Sequence, residues 1–310
     1  MSAPEAPARI VSLLPAATEI IAELGFGDSL VGRSHECDHP PQVADLPALT
    51  RPKLDPALPG GEIARRIRDL VEQTLSVFLV DAEELRALRP DLVVTQTQCA
   101  ACAVSEAQVA EALADWAGPQ TRIVALKPVG LTEVWQDLQR VAEALDVPER
   151  GAVLIAELTG RLKALGTRLE GTDERPSAVS IEWIDPLMAG GNWMPELIAA
   201  AGGRELLGRP GAPPHWITFE ELTAADPEVL LLHPCGFTIE RALDELPPLI
   251  AQPGWGELRA VRAGRVYVLD GHRYFNRPGP RLAESAEILV EVLHPRAFSF
   301  GHEGTGWVRL

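Results

Sequence analysis

Residues 148–170, PERGAVLIAELTGRLKALGTRLE, decide how the rest of the chain is read. Pro148 stands where a helix tolerates a missing N–H, apolar residues recur at helical spacing, and Gly171 follows the end. The pattern predicts one continuous helix, which at the helical rise per residue spans roughly 33 Å, about the width of a small domain. In a chain of 310 residues such a helix reads as a connector between two bodies.

Outward from it, both flanks alternate short β-rich runs with helical periodicity. On the N-terminal side strands are expected at 8–14, 30–34, 77–80, 91–96 and 122–126. Helices are expected at 16–25, 61–74, 82–88, 105–117 and 131–145. After Arg175-Pro176 strands are expected at 177–183, 228–234 and 265–270, and helices at 194–202, 219–225, 238–246 and 280–293. That order predicts an α/β protein: two lobes, each a mostly parallel sheet flanked by helices, joined by one long helix, with an interlobe cleft. The expected boundaries are 1–128 for the N-terminal lobe, 129–174 for connecting helices, 175–294 for the C-terminal lobe and 295–310 for a tail.

Composition narrows the function. Hydrophobic residues at 46% and charged ones at 23% suit a globular chain with material for two cores. A net charge of −16, with no run of Lys and Arg, excludes nucleic acid as a partner and disfavours anionic membrane surfaces. The opening MSAPEAPARIVSLLP has no basic n-region followed by an apolar stretch, and no segment is apolar enough for membrane insertion. The chain as encoded therefore reads as cytoplasmic, with a periplasmic or cell-surface position as the alternative if a signal was omitted.

Ligands of parallel α/β sheets bind outside the carboxyl ends of the strands. The segments just past the expected strands are LPAATE (14–19), SHECDHPP (34–41), TQCAAC (97–102), WIDPLMAGGNW (183–193), HPCGF (233–237) and DGHRYFNRPGPR (270–281). They carry all four cysteines, Cys37, Cys99, Cys102 and Cys235, together with His35, His39, His233 and His272. Glu36, Asn192, Trp193, His272 and Arg277 are candidate ligand contacts on this ground. The cysteines admit three readings: small buried hydrophobes, a redox pair at Cys99–Cys102, or thiolate ligands of zinc or an iron–sulfur cluster. The third expects the sulfurs of Cys37, Cys99, Cys102 and Cys235 to meet. Neutral imidazoles at the same edge could ligate cobalt, iron or zinc.

At this point the residues resemble a family. IVSLLPAATEIIAELG (10–25), GRSHECDHPPQV (32–43), LRPDLVVTQ (88–96) and RVYVLDGHRYFNRPGPRL (265–282) are similar to the solute-binding proteins of cobalamin and iron-chelate ABC importers, the helical backbone metal receptor group. The likeness runs from about residue 8 to 293, with His39 where that family usually has an aromatic residue. It implies a binding protein rather than an enzyme, a corrinoid or other metal chelate as ligand, and an ABC permease as partner. It also implies His35, Gln98, Trp183, Tyr274 and Phe275 as ligand contacts, and Glu106 and Glu220 as docking groups. The cysteines are not typical of that family, so two alternatives stand: a cytosolic metal or iron–sulfur protein on the same scaffold, and an enzyme acting on a tetrapyrrole or chelate. For catalysis, no nucleophile elbow, phosphate-binding glycine loop or HExxH is present, and Glu182 with Asp185 around Trp183 reads as hydrogen bonding rather than an acid/base pair.

Overall fold

Ile10–Ser12 (β1) is a short apolar run buried at every residue, so helices or strands must cover both of its sides. The computed structural model that supplies this cover describes residues 9–72, 77–97, 121–170 and 174–310. The chain divides into two compact units. The first holds residues 1–58, 65–128 and 132–157, and the second holds 59–64, 129–131 and 158–310.

In unit 1, β1 is followed by α1 (Pro15–Ile21), β2 (Leu30–Arg33), β3 (Thr50–Pro52), α2 (Gly60–Glu72), β4 (Phe78–Val80), α3 (Ala82–Leu88), β5 (Leu92–Gln96), β6 (Arg122–Leu126) and α4 (Leu131–Ala144). The sheet runs β2-β1-β5-β6, all parallel. β5 is buried at all five residues, as befits a central parallel strand. Val11, Leu13, Leu49, Leu85 and Val93 form a core cluster of this unit. The strand expected at 77–80 lies outside the parallel sheet: β4 pairs antiparallel with β3 in a separate ribbon. β3 ends in Pro52, which has no N–H to donate and suits only an edge.

Helix α5 (Pro148–Leu169) is the predicted long helix, continuous over 22 residues. The expected separate connecting body of 129–174 is not what the contacts give, because the unit boundary falls inside this helix, between Glu157 and Leu158.

Unit 2 continues through β7 (Ser177–Trp183), β8 (Met188–Ala189), α6 (Met194–Ala200), β9 (Arg204–Glu205), β10 (His215–Trp216), α7 (Phe219–Ala225) and β11 (Val229–Leu232). Then come α8 (Ile239–Asp244), α9 (Pro247–Ile250), α10 (Arg259–Arg262), β12 (Val266–Leu269), α11 (Leu282–Leu293) and β13 (Trp307–Arg309). Its sheet runs β10-β8-β7-β11-β12-β13, with β9 alongside β7. β7, β11 and β12 are parallel at the centre; β8 pairs antiparallel with β7 and β13 with β12, while β10 pairs antiparallel with β8 and so runs with the central strands. Residues 295–310 are therefore more than a tail, since their strand β13 pairs along β12 and Trp307 meets Tyr267 edge-on at 5.4 Å. Fully buried side chains such as Leu230, Leu232 and Val268 anchor this layer, each contributing about 1.5–3 kcal/mol by leaving water.

Candidate functional site

In unit 1, β2 runs directly into Ser34, His35, Glu36 and Cys37. Arg33 laces this loop: its guanidinium donates to the carbonyls of Ser34 at 3.0 Å, Ala44 at 2.8 Å and Leu46 at 3.2 Å. Thr50, from β3, holds His35. The His35 backbone N–H donates to Thr50 Oγ1 at 3.0 Å, and Nδ1 lies 2.7 Å from the same oxygen. Thr50 Oγ1 also lies 3.2 Å from Ser34 Oγ. Burial, and then the charge of Arg33, lower the His35 pKa, so the ring is neutral near pH 7. Its face packs on Phe78 at 5.2 Å. A neutral imidazole held at one nitrogen can present the other to a soft or borderline metal centre.

Glu36 and His39 are half-buried on the same loop. Cys37 is only 1% exposed, and its sulfur accepts from Thr18 Oγ1 at 3.0 Å. Gln98, Cys99, Cys102 and Glu106 lie outside the described residues. Among the described residues no group of three or more His, Cys, Asp or Glu side chains could hold a metal ion.

In unit 2, Trp183 ends β7, mostly buried, and its ring meets Phe237 at 5.2 Å. Its Nε1 donates to Asp185 O at 3.0 Å, which fixes the indole. Arg241 lies 5.0 Å over the Phe237 ring and pairs with Glu245 at 2.5 Å, while the other Glu245 oxygen accepts the Gly60 N–H at 2.9 Å. Glu182 is half-buried and accepts the Gly191 N–H at 3.3 Å; burial raises its pKa to about 7 against the pull of that hydrogen bond. Asp185 is exposed, so the two carboxyls face different surroundings.

The other expected contacts of unit 2 differ in exposure. Phe275 is fully buried against His233 at 5.6 Å and offers no free face, because the turn at Gly271–Phe275 aims it into the core. Trp193 is buried and donates from Nε1 to Phe275 O at 3.2 Å. Arg277 is 3% exposed and donates to His272 Nε2 at 3.0 Å; since guanidinium only donates, Nε2 accepts there. Asn192 sits half-buried at φ 52° with its N–H on Ala212 O at 2.6 Å. Tyr274 is half-buried, and so is Cys235, whose backbone N–H donates to Glu182 O at 3.0 Å. His233 is the surprise: fully buried at the end of β11, with no hydrogen-bond partner on either ring nitrogen and a pKa lowered to about 3 by burial. Glu220 is exposed in the first turn of α7, just inside the Thr218/Glu221 capping box.

Sequence reasoning missed Arg33, Phe237, Arg241 and Glu245. Only Phe237 carried a signal, since it ends a quoted post-strand segment.

Among the described residues no helix is long and apolar enough to cross a membrane. Comparison with known proteins fits the geometry. The vitamin B12-binding protein of Photorhabdus laumondii is 24% identical over 291 residues, 93% of this chain and 89% of the relative. An uncharacterized ABC transporter substrate-binding lipoprotein of Bacillus subtilis is 23% identical, over 94% of this chain and 82% of its own. The crystal structure of a periplasmic heme binding protein from Pseudomonas aeruginosa superposes with a TM-score of 0.71 at 21% identity, covering 94% of both chains. Residues 10–272 match the model of the family described as Periplasmic binding protein, and the chain belongs to that family.

Proposed function

We propose that this protein binds a metal chelate of the tetrapyrrole kind, a cobalamin-like corrinoid or a haem, and hands it to an ABC permease without chemical change. The observation that carries the reading is His35, an imidazole that burial favours in its neutral form and that Thr50 holds at Nδ1. Support comes from relatives named for vitamin B12 binding and from a structural neighbour named for heme. Those relatives are binding proteins and not enzymes. Their periplasmic or lipoprotein character favours the exported side over the cytoplasm. The further proposed contacts are Glu36 on unit 1 and, on unit 2, Trp183, Asn192, His272 and Tyr274. Glu220 is the proposed docking group on unit 2, with Glu106 as its counterpart.

The test is a titration of cyanocobalamin, hemin and a ferric hydroxamate, followed by tryptophan fluorescence (the chain has seven Trp) and by the visible spectrum. One chelate should bind saturably at one per chain, and its metal-sensitive band should shift back in His35→Ala. If none of the three binds, or if His35→Ala leaves affinity and spectrum as they were, the reading fails. A second arm asks whether Glu220→Arg lowers delivery to a cognate permease while leaving chelate affinity unchanged.

A further inference from the structure

The turn that follows β12 is fixed at its start by Asp270, whose carboxylate accepts the Arg273 N–H at 2.7 Å. Tyr274, within that turn, is held from three sides. Ser285 Oγ donates to its carbonyl at 2.8 Å, the Arg281 guanidinium lies 4.4 Å from its ring centroid, and His302 approaches the ring edge-on at 6.2 Å and 68°. Arg281 and Ser285 are close in sequence. His302 comes from the C-terminal segment, and something must hold it there.

That segment is fastened by Glu291, which is 4% exposed. One of its oxygens accepts the backbone N–H of Phe300 and of Gly301, the latter at 2.7 Å, and the other accepts Trp307 Nε1 at 2.7 Å. The Asp270 N–H in turn donates to Gly306 O at 3.0 Å, which ties the segment to the start of the tyrosine turn. His302 itself is oriented through Nε2, 3.2 Å from Glu287 Oε2, while Glu287 Oε1 accepts Arg161 Nη2 at 2.8 Å. Burial works to raise the Glu287 pKa, but the hydrogen bonds from His302 and Arg161 prevail and hold it below the usual range. An ionised carboxylate only accepts, so Nε2 carries the proton and the imidazole tautomer is set.

We propose that the C-terminal segment is a brace for ligand binding: Arg161, Glu287 and His302 form a relay from α5 that fixes the Tyr274 ring in the attitude that stacks on a flat conjugated ligand. His302 is thus a positioning residue, acting through Tyr274. A ring already held in its bound attitude gives up less freedom on binding, and affinity gains by that amount. The proposal rests on the chelate-binding reading for its benefit to affinity, but the brace itself is a property of the free protein.

The chain has only two tyrosines, so selective labelling resolves both rings by NMR. Tyr274 reports the brace, and Tyr267, packed on Trp307, reports whether the segment as a whole stays in place. In His302→Ala, and in His302→Gln, which keeps a donor for Glu287 but has no ring, the Tyr274 ring signals should shift and average while those of Tyr267 stay put. Cyanocobalamin or hemin should leave each variant faster, by about 3- to 10-fold, with association little changed. In a Tyr274→Ala background the same substitutions should add nothing, because their effect runs through that ring. Unchanged Tyr274 signals in both variants would overturn the brace. So would simultaneous loss of the Tyr267 signals in both, or equal acceleration of release in the Tyr274→Ala background. If the wild-type protein binds neither probe, the proposed function falls, and the tyrosine spectra still decide the brace.

Discussion

At the scale of single residues, two titratable groups of unit 2, half-buried Glu182 and buried His233, pull stability in opposite directions. Glu182 is raised from 4.5 to about 7, so between those values the folded state holds a proton that the unfolded chain has released. Its contribution therefore declines as pH rises from about 4.5 to 7, by at most about 3 kcal/mol, and less because the side chain is partly exposed. His233 is lowered from 6.5 to about 3, so the unfolded chain takes up a proton that the folded one refuses. It makes stability decline as pH falls from about 6.5 to 3. In the range both windows share, the slopes offset each other. Glu182→Gln should raise the melting temperature at pH 8 more than at pH 5, whereas His233→Leu should flatten the acid limb. Melting curves from pH 4 to 8 check both, and parallel profiles for wild type and variants would contradict the assignments. The strand-end placement of His35 and Trp183 was legible in the sequence, because parallel strands put their loops at one edge. The lacing by Arg33 was not, and neither was the bond from Gly60 to Glu245, which joins residues 185 apart in the chain.

At the scale of elements, the segments read from the sequence were those with enough length to show a period. The long helix and β7, seven residues of near-continuous burial, stood out. β8, β9 and β10 have two residues each, too few for alternation to be seen. Their pairing is decided by neighbours distant in sequence. Two glycines show the same contrast between local and tertiary control. A Cβ at Gly191 would lie 2.6 Å from Ala212 O and closer still to Pro214 N, all of it backbone that cannot step aside. Gly191→Ala should destabilise the protein by about 2–3 kcal/mol, the scale of a strained, overpacked site. Gly160, inside α5, has no heavy atom within 4 Å of where a Cβ would stand, and Gly160→Ala should stabilise by about 0.5–1 kcal/mol through helix propensity. Urea denaturation of the pair measures both; equal shifts of the same sign would contradict this account.

At the scale of the whole molecule, a net charge of −16 acts as a diffuse self-repulsion that the folded chain feels more than the expanded one. Raising NaCl from about 20 to 200 mM should therefore increase the melting temperature by a few degrees, as the screening length shrinks below the protein's dimensions. A flat or falling melting temperature would show that specific ion pairs such as Arg161–Glu287 outweigh the overall field. The pairing of β13 with β12 has a consequence for synthesis. The hydrogen-bonding edge of β12 stays open until Trp307–Arg309 has left the ribosome, and Leu310 N then donates to Val266 O at 3.0 Å. Until that moment the nascent chain carries an unpaired edge beside a bare Tyr267 ring, the kind of surface that recruits other strands. A truncated translation product ending before residue 307 is thus a species prone to aggregate, and cellular quality control has reason to remove it.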